Sequence, residues 1–201
     1  MNPETEQKVR AIKQSLRLMM DGCVAQSMRD KGVNYQLNWG ATLTRLREKA
    51  KETGYDYNLA IALWKENIRE CKILATMIMP PEKMLPQVVD IWMEQTPTIE
   101  IAEQATMNLY QHLDCASVKA YEWIASDKEL YQLSGFHVLS RLFMRGLEPN
   151  ERGINEFLDQ AHTALLSASL PVRKAALNSL SHFAELGIVY RRLADNILRQ
   201  L

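Results

Sequence analysis

Apolar residues recur at i, i+3 and i+4 through nearly the whole chain, and no stretch alternates them with the period of two that a half-buried strand needs. That pattern confines the chain to helices. It breaks at Gly32, Gly54, Pro80 with Pro81, Thr96 with Pro97, Asp114, Ser126, Gly146 to Asn150, Ser169 and Gly187. The breaks predict helices of roughly ten to twenty residues joined by short turns. Some are well punctuated. Thr96 is placed to cap a helix with Pro97 in its first turn, Ser169 to do the same with Pro171, and Gly187 to follow a helix end. Residues 4–29 read as one extended helix.

The stretch LWKENIRECKILATMI, from Leu63 to Ile78, shows the logic at one corner. A single amphipathic helix needs no break there, whereas two short helices folded back on each other do. Trp64 closes the first helix and Asn67 marks the turn. Arg69, Glu70 and Lys72 are expected on the solvent side of the second, with Leu74, Ala75 and Ile78 pointing inward.

Similar segments recur. NIRECKILA, TIEIAEQA, LYQLSGFHVL and PVRKAALNSL each open a helix, and their anchors Ile68, Ile99, Tyr131 and Val172 lie 31, 32 and 41 residues apart. Stacked helical hairpins of the HEAT and armadillo kind repeat at about 40 residues. The expected fold is therefore an all-α, HEAT-like or armadillo-type solenoid of antiparallel helix pairs. One domain is expected over residues 1–201, with an N-terminal helix in 1–30 and HEAT-type helices in 150–201.

The chain carries 24 basic and 24 acidic residues, so net charge gives no argument for nucleic acid. The distribution says more. Residues 1–60 carry ten bases and seven acids, whereas residues 82–130 carry three bases and nine acids. Arg45, Arg47, Lys49 and Lys51, with Arg10, Lys13 and Arg17, are candidates to flank a phosphate track. Trp39 neighbours that run. Three cysteines without a C-x-x-C pair point to free thiols, and the polar start MNPETEQKVR lacks an apolar leader core. A soluble cytoplasmic protein is the expectation. His112, His137, His162 and His182 fall on separate helices with no partner at i+4, and no phosphate-binding or hydrolase motif occurs. No metal or cofactor is expected.

From Asn38 to Ile78 the chain resembles the AlkD-like DNA alkylation repair family. NWGATLTRLREKAKETG is similar to that family's Gly-x-x-x-x-x-Leu-Arg-x-x-Ala-Lys opening. LAIALWKENIRECKILATMI is similar to its Ala-Leu-Trp followed by Arg-Glu-x-x-x-Leu-Ala. The likeness continues more weakly to Gly146, so that 38–146 is the best-matching span. It implies a HEAT-like glycosylase fold with a concave basic face that holds duplex DNA, where a carboxylate and tryptophans meet the sugar of an alkylated purine. The family's Trp-x-x-x-Asp falls on Ile99-x-x-x-Glu103, which makes Glu103 the candidate catalytic residue. Its Trp-x-Arg-Arg falls on Tyr131, Leu133 and Ser134, so an aromatic survives and both arginines are lost. The resemblance thus implies DNA binding through Tyr131, with Trp39, Arg45, Arg47, Lys49 and Arg173 as further candidate DNA-binding residues and excision weak or lost.

A helical wheel over the same segment puts Ala102, Ala105, Leu109 and Leu113 in the core, Glu103 at the edge of the buried stripe and Glu100 toward solvent. A non-catalytic adaptor that holds a protein on its concave face stays open beside the repair reading. The acidic middle segment and ten methionines favour it. A stripe of Val9, Ile12, Leu16, Met19 and Met20 also offers a self-association face, although a monomer is the expected state.

Overall fold

The structure is a computed structural model that describes residues 2–201, among which lie twelve α-helices. They pack as two compact units, the first ending at Leu109 and the second running from Tyr110 to Leu201.

The first unit holds α1 (Pro3–Leu18), α2 (Gly22–Asp30), α3 (Leu43–Thr53), α4 (Tyr57–Trp64), α5 (Arg69–Ile78), α6 (Pro86–Glu94) and α7 (Ile99–Asn108). The second holds α8 (Ala116–Ile124), α9 (Glu129–Met144), α10 (Glu151–Leu165), α11 (Leu170–Glu185) and α12 (Ile188–Leu198). Short polar residues start many of them. The side chains of Asp21, Asp56, Thr98, Asn150 and Ser169 each accept a hydrogen bond from the main-chain N–H three residues on, which satisfies a donor the helix leaves unpaired. Ser169 and Pro171 start α11 as their spacing predicts. At the other proline the cap is Thr98, while the Thr96 hydroxyl donates to the Trp92 carbonyl at 2.8 Å. Leu186 and Gly187 separate α11 from α12.

The extended N-terminal helix is two helices, not one. The chain turns at Met19 to Asp21, where Asp21 caps α2 and donates its own N–H to the Trp39 carbonyl at 2.8 Å. Apolar periodicity runs across this turn unchanged, so it gave no sign of the break. Val9, Ile12 and Leu16 are buried, with α1 packed on α4, so these three residues of the stripe belong to the core, while Met19 is half-buried and Met20 exposed.

In the first unit α5 is the central element, packed against α3, α4 and α7. Leu74, Ala75 and Ile78 are fully buried. Trp64, the last residue of α4, stacks on Trp92 of α6 with ring centroids 4.2 Å apart. In the second unit Phe136, Phe143, Phe157 and Phe183 form an edge-to-face cluster that joins α9, α10 and α11. Helices α8 and α9 approach most closely at Gly135, where an added Cβ would lie 2.7 Å from Ile124 Cγ2 and 2.8 Å from the Ala120 carbonyl oxygen. Gly135→Ala is therefore expected to cost about 1–3 kcal/mol through overpacking. Urea denaturation followed by circular dichroism measures this as a lower midpoint.

Candidate nucleic-acid interface

The charged knot of the Leu63–Ile78 stretch is not on the surface. Arg69 is 2% exposed, Glu70 is not exposed at all and Lys72 is 7% exposed. Arg69 and Glu70 are buried because each finds a partner from a distant segment, and Lys72 because it folds back on the preceding helix, which helix periodicity alone does not reveal. The Glu70 carboxylate accepts main-chain N–H groups from Trp39 at 3.2 Å, Gly40 at 2.9 Å and Ala41 at 3.2 Å. Arg69 Nη1 donates to the same carboxylate at 3.2 Å and to the Ala41 carbonyl at 2.9 Å. The rest of the guanidinium forks onto Glu100 of α7, with Nε at 2.9 Å and Nη2 at 2.5 Å. Lys72 donates to the Trp64 carbonyl at 2.8 Å and lies 4.6 Å from the centre of the Trp64 ring. It thereby covers the C-terminal end of α4, where a cation opposes the helix dipole.

The segment between α2 and α3 is pinned by the same groups. Leu37 pairs with Ile68 in an isolated β-bridge, and the Tyr35 hydroxyl lies 2.5 Å from Glu100 and 2.9 Å from Thr98 Oγ1. Burial pushes the Glu100 carboxyl up. The hydrogen bonds from Arg69 and Tyr35 and the Arg69 charge outweigh that and hold it below its usual range. Burial, followed by the bond to Glu100, raises the Tyr35 phenol. Glu100, 24% exposed, thus turns mainly toward this clamp, where the wheel assigns it to solvent.

Glu103 lies one turn further along α7 and is exposed. Partial desolvation, then repulsion from Glu100, lifts its carboxyl above the ordinary glutamate range. The core side of α7 is as predicted, with Ala102, Ala105 and Leu109 fully buried.

The other predicted residues fall in both units, Trp39, Arg45, Arg47 and Lys49 in the first and Tyr131 and Arg173 in the second. Trp39 is 8% exposed, so its indole packs in the core and offers no ring face to a ligand. On α3, Arg45 and Lys49 share a face while Arg47 points to another, as the 100° step requires. Arg45 donates to the Met19 carbonyl at 3.4 Å, Lys49 pairs with Glu52 at 3.0 Å, and Arg47 is exposed. In the second unit Tyr131 is half-buried with the Lys128 ammonium 4.9 Å over its ring. Leu133 and Ser134 lie in the core, so neither position could turn a cation outward. Arg173 donates to the Ser167 carbonyl at 2.6 Å, just beyond the end of α10.

Sequence reasoning missed Tyr35, Arg69, Glu70 and Glu100. The usable signal was the charge knot itself, since three ionisable residues inside an apolar run are expensive unless mutually satisfied. Among the described residues no group of three or more His, Cys, Asp or Glu is placed to hold a metal ion, Cys23, Cys71 and Cys115 form no disulfide, and no helix is long and apolar enough to cross a membrane.

A family model described as DNA alkylation repair enzyme matches residues 12–186. A solved structure described as "a new family of proteins related to the HEAT-like repeat DNA glycosylases with affinity for branched DNA structures" superposes with a TM-score of 0.83 at 18% identity. The match covers 95% of this chain and 82% of that one. At that identity the likeness shows the fold, a HEAT-like helical repeat, and nothing finer. No curated protein matches the chain.

Proposed function

Since the chain belongs to the DNA alkylation repair enzyme family, we propose that it is a DNA-binding repair protein that contacts duplex DNA and meets the nucleotide sugar with Glu103. One observation carries this reading. Glu103 is the exposed acid on a helix whose first turn is locked by the Arg69–Glu100–Tyr35 clamp, so the carboxylate is presented from a rigid support. Cleavage of an N-glycosidic bond builds positive charge on the deoxyribose, and a fixed carboxylate stabilises that charge. An alkylated purine already carries positive charge and leaves without a general acid. Ile99 and the buried Leu133 and Ser134 supply neither an aromatic stack nor a backbone-binding cation. Binding is therefore the primary activity and excision the weaker one.

The test is base release from duplex containing N7-methylguanine or N3-methyladenine, with linear and four-way-branched DNA compared for binding. Glu103→Gln is expected to lower excision by about 10²–10³-fold while leaving binding unchanged. Because the Glu103 carboxyl sits above the ordinary value, it is protonated at a higher pH than a free glutamate. Excision should therefore begin to fall above the usual glutamate range of about 4.3 as pH drops. Release no faster than the spontaneous rate ends the enzymatic reading. Absence of salt-sensitive binding at low ionic strength ends the DNA reading as well.

A protein partner is favoured by one different feature. The second unit has a cavity of about 610 Å³ whose wall combines Leu113, Leu142 and Phe143 with Asp114, Arg145 and Glu148, a mix of apolar and oppositely charged groups that suits a peptide. A pull-down that recovers only nucleic acid ends that reading.

A further inference from the structure

We propose that a cavity of about 240 Å³ in the first unit, lined by Arg69 and Lys72 and by Asn34, Gln36 and Asn67, binds a phosphate group. The cavity lies between residues 34–36, the start of α5 and Pro97, and no carboxylate lines it. Glu70 and Glu100 stand behind Arg69, and both are already saturated. Glu70 accepts three main-chain N–H groups and Arg69, and Glu100 accepts Arg69 twice and Tyr35 once.

Lys72 is the charge left over. Among the described residues its buried ammonium pairs with no carboxylate; its partners are the Trp64 carbonyl and the Trp64 ring. An ammonium has three N–H donors, and the Trp64 carbonyl takes one while the ring faces the charge, so a donor remains for a further acceptor. The first turn of α5 has no side-chain cap; the Leu37 carbonyl takes the Arg69 N–H at 3.0 Å, and the rest of the helix's positive end adds to the same wall. A phosphate offers three strong acceptor oxygens arranged tetrahedrally, and that matches donors spread around a cavity better than a flat carboxylate does. The phosphate can come from the end of a DNA strand, from a mononucleotide or from solution. The strand-end source rests on the DNA-binding reading; the phosphate chemistry does not.

The experiment follows amide signals of the full chain by NMR during titration with inorganic phosphate, thymidine 5′-monophosphate, and one short duplex carrying either 5′-phosphate or 5′-hydroxyl ends. Saturable shifts at Asn34, Gln36 and Asn67 with inorganic phosphate are expected. Lys72→Met should abolish them. Asn34→Asp, on an exposed residue that leaves the fold untouched, should weaken binding about tenfold or more by placing like charge at the rim. A tighter 5′-phosphate duplex assigns the strand end, and equal duplexes with phosphate bound assign the free ion or nucleotide. No saturable shift at these residues, or Asn34→Asp binding as tightly as the parent, overturns the proposal. If the duplex still binds in that case, the DNA reading stands; phosphate binding without duplex binding sinks that reading alone.

Discussion

Glu70→Gln is expected to destabilise the protein by about 3–5 kcal/mol, the cost of breaking a buried ion pair from one side. Glutamine keeps one carbonyl oxygen but turns an NH₂ group toward donors. The carboxylate now serves three main-chain N–H groups and the Arg69 guanidinium at zero exposure. At least one donor is left unsatisfied, and Arg69 loses one of its two counter-ions. The effect should appear where the contacts are. Hydrogen exchange of the amides of residues 39–41 should speed up far more than that of α11, in the other unit. A double-mutant cycle with Arg69→Met should show strong coupling, because the two side chains share one network. A Glu70→Gln protein as stable as the parent, with 39–41 still protected, would mean that the loop is held by something other than this carboxylate.

The helices were largely legible because turns leave local chemical marks. Gly, Pro and capping residues interrupt the 3.6-residue rhythm at the corners, and Ser169 with Pro171 starts α11 where spacing predicts. The break at Met19 to Asp21 was missed because Met19 and Met20 continue the apolar rhythm through it, and the only mark, Asp21, is a single residue. The clamp was illegible for a different reason. A helical wheel ranks positions by the character of their own side chains, so Arg69, Glu70 and Lys72 were assigned to solvent. The burial of Arg69 and Glu70 depends on residues 28 to 31 positions away, at Trp39 to Ala41 and at Glu100, and that of Lys72 on Trp64 in the preceding helix. No local pattern encodes such a pairing. The two acids of α7 illustrate the cost: the wheel separates Glu100 from Glu103 correctly by angle, yet places solvent on the wrong side of Glu100 because it cannot know that an arginine waits there.

This arrangement also joins the two ends of the Asn38 to Ile78 stretch. Trp39-Gly40-Ala41 and Arg69-Glu70 lie far apart in sequence but form one structural unit, in which a loop supplies N–H groups and a helix supplies the carboxylate. A conformational requirement at 40 and a charge requirement at 70 are therefore two halves of the same constraint.

Gly40→Ala puts that link to its hardest test and is expected to cost more than about 4 kcal/mol, at the extreme of single-residue effects. Gly40 has φ +76°, a region that costs a side-chain-bearing residue about 1–3 kcal/mol. An added Cβ would also lie 2.1 Å from the Asp21 carbonyl oxygen and 2.9 Å from the Ala25 nitrogen, both main-chain atoms at the start of α2. Neither can yield without displacing the helix, and displacing the loop instead pulls the Trp39, Gly40 and Ala41 N–H groups off Glu70. Gly54 provides the control, with φ +70° and nothing within 4 Å of an added Cβ. Gly54→Ala carries the backbone strain without the collision. Thermal unfolding of the two variants therefore separates the effects: at about 2–4 °C per kcal/mol for a chain of this size, Gly40→Ala should melt several degrees below Gly54→Ala. Equal melting temperatures would show that the loop does not press on α2 as closely as its backbone contacts require.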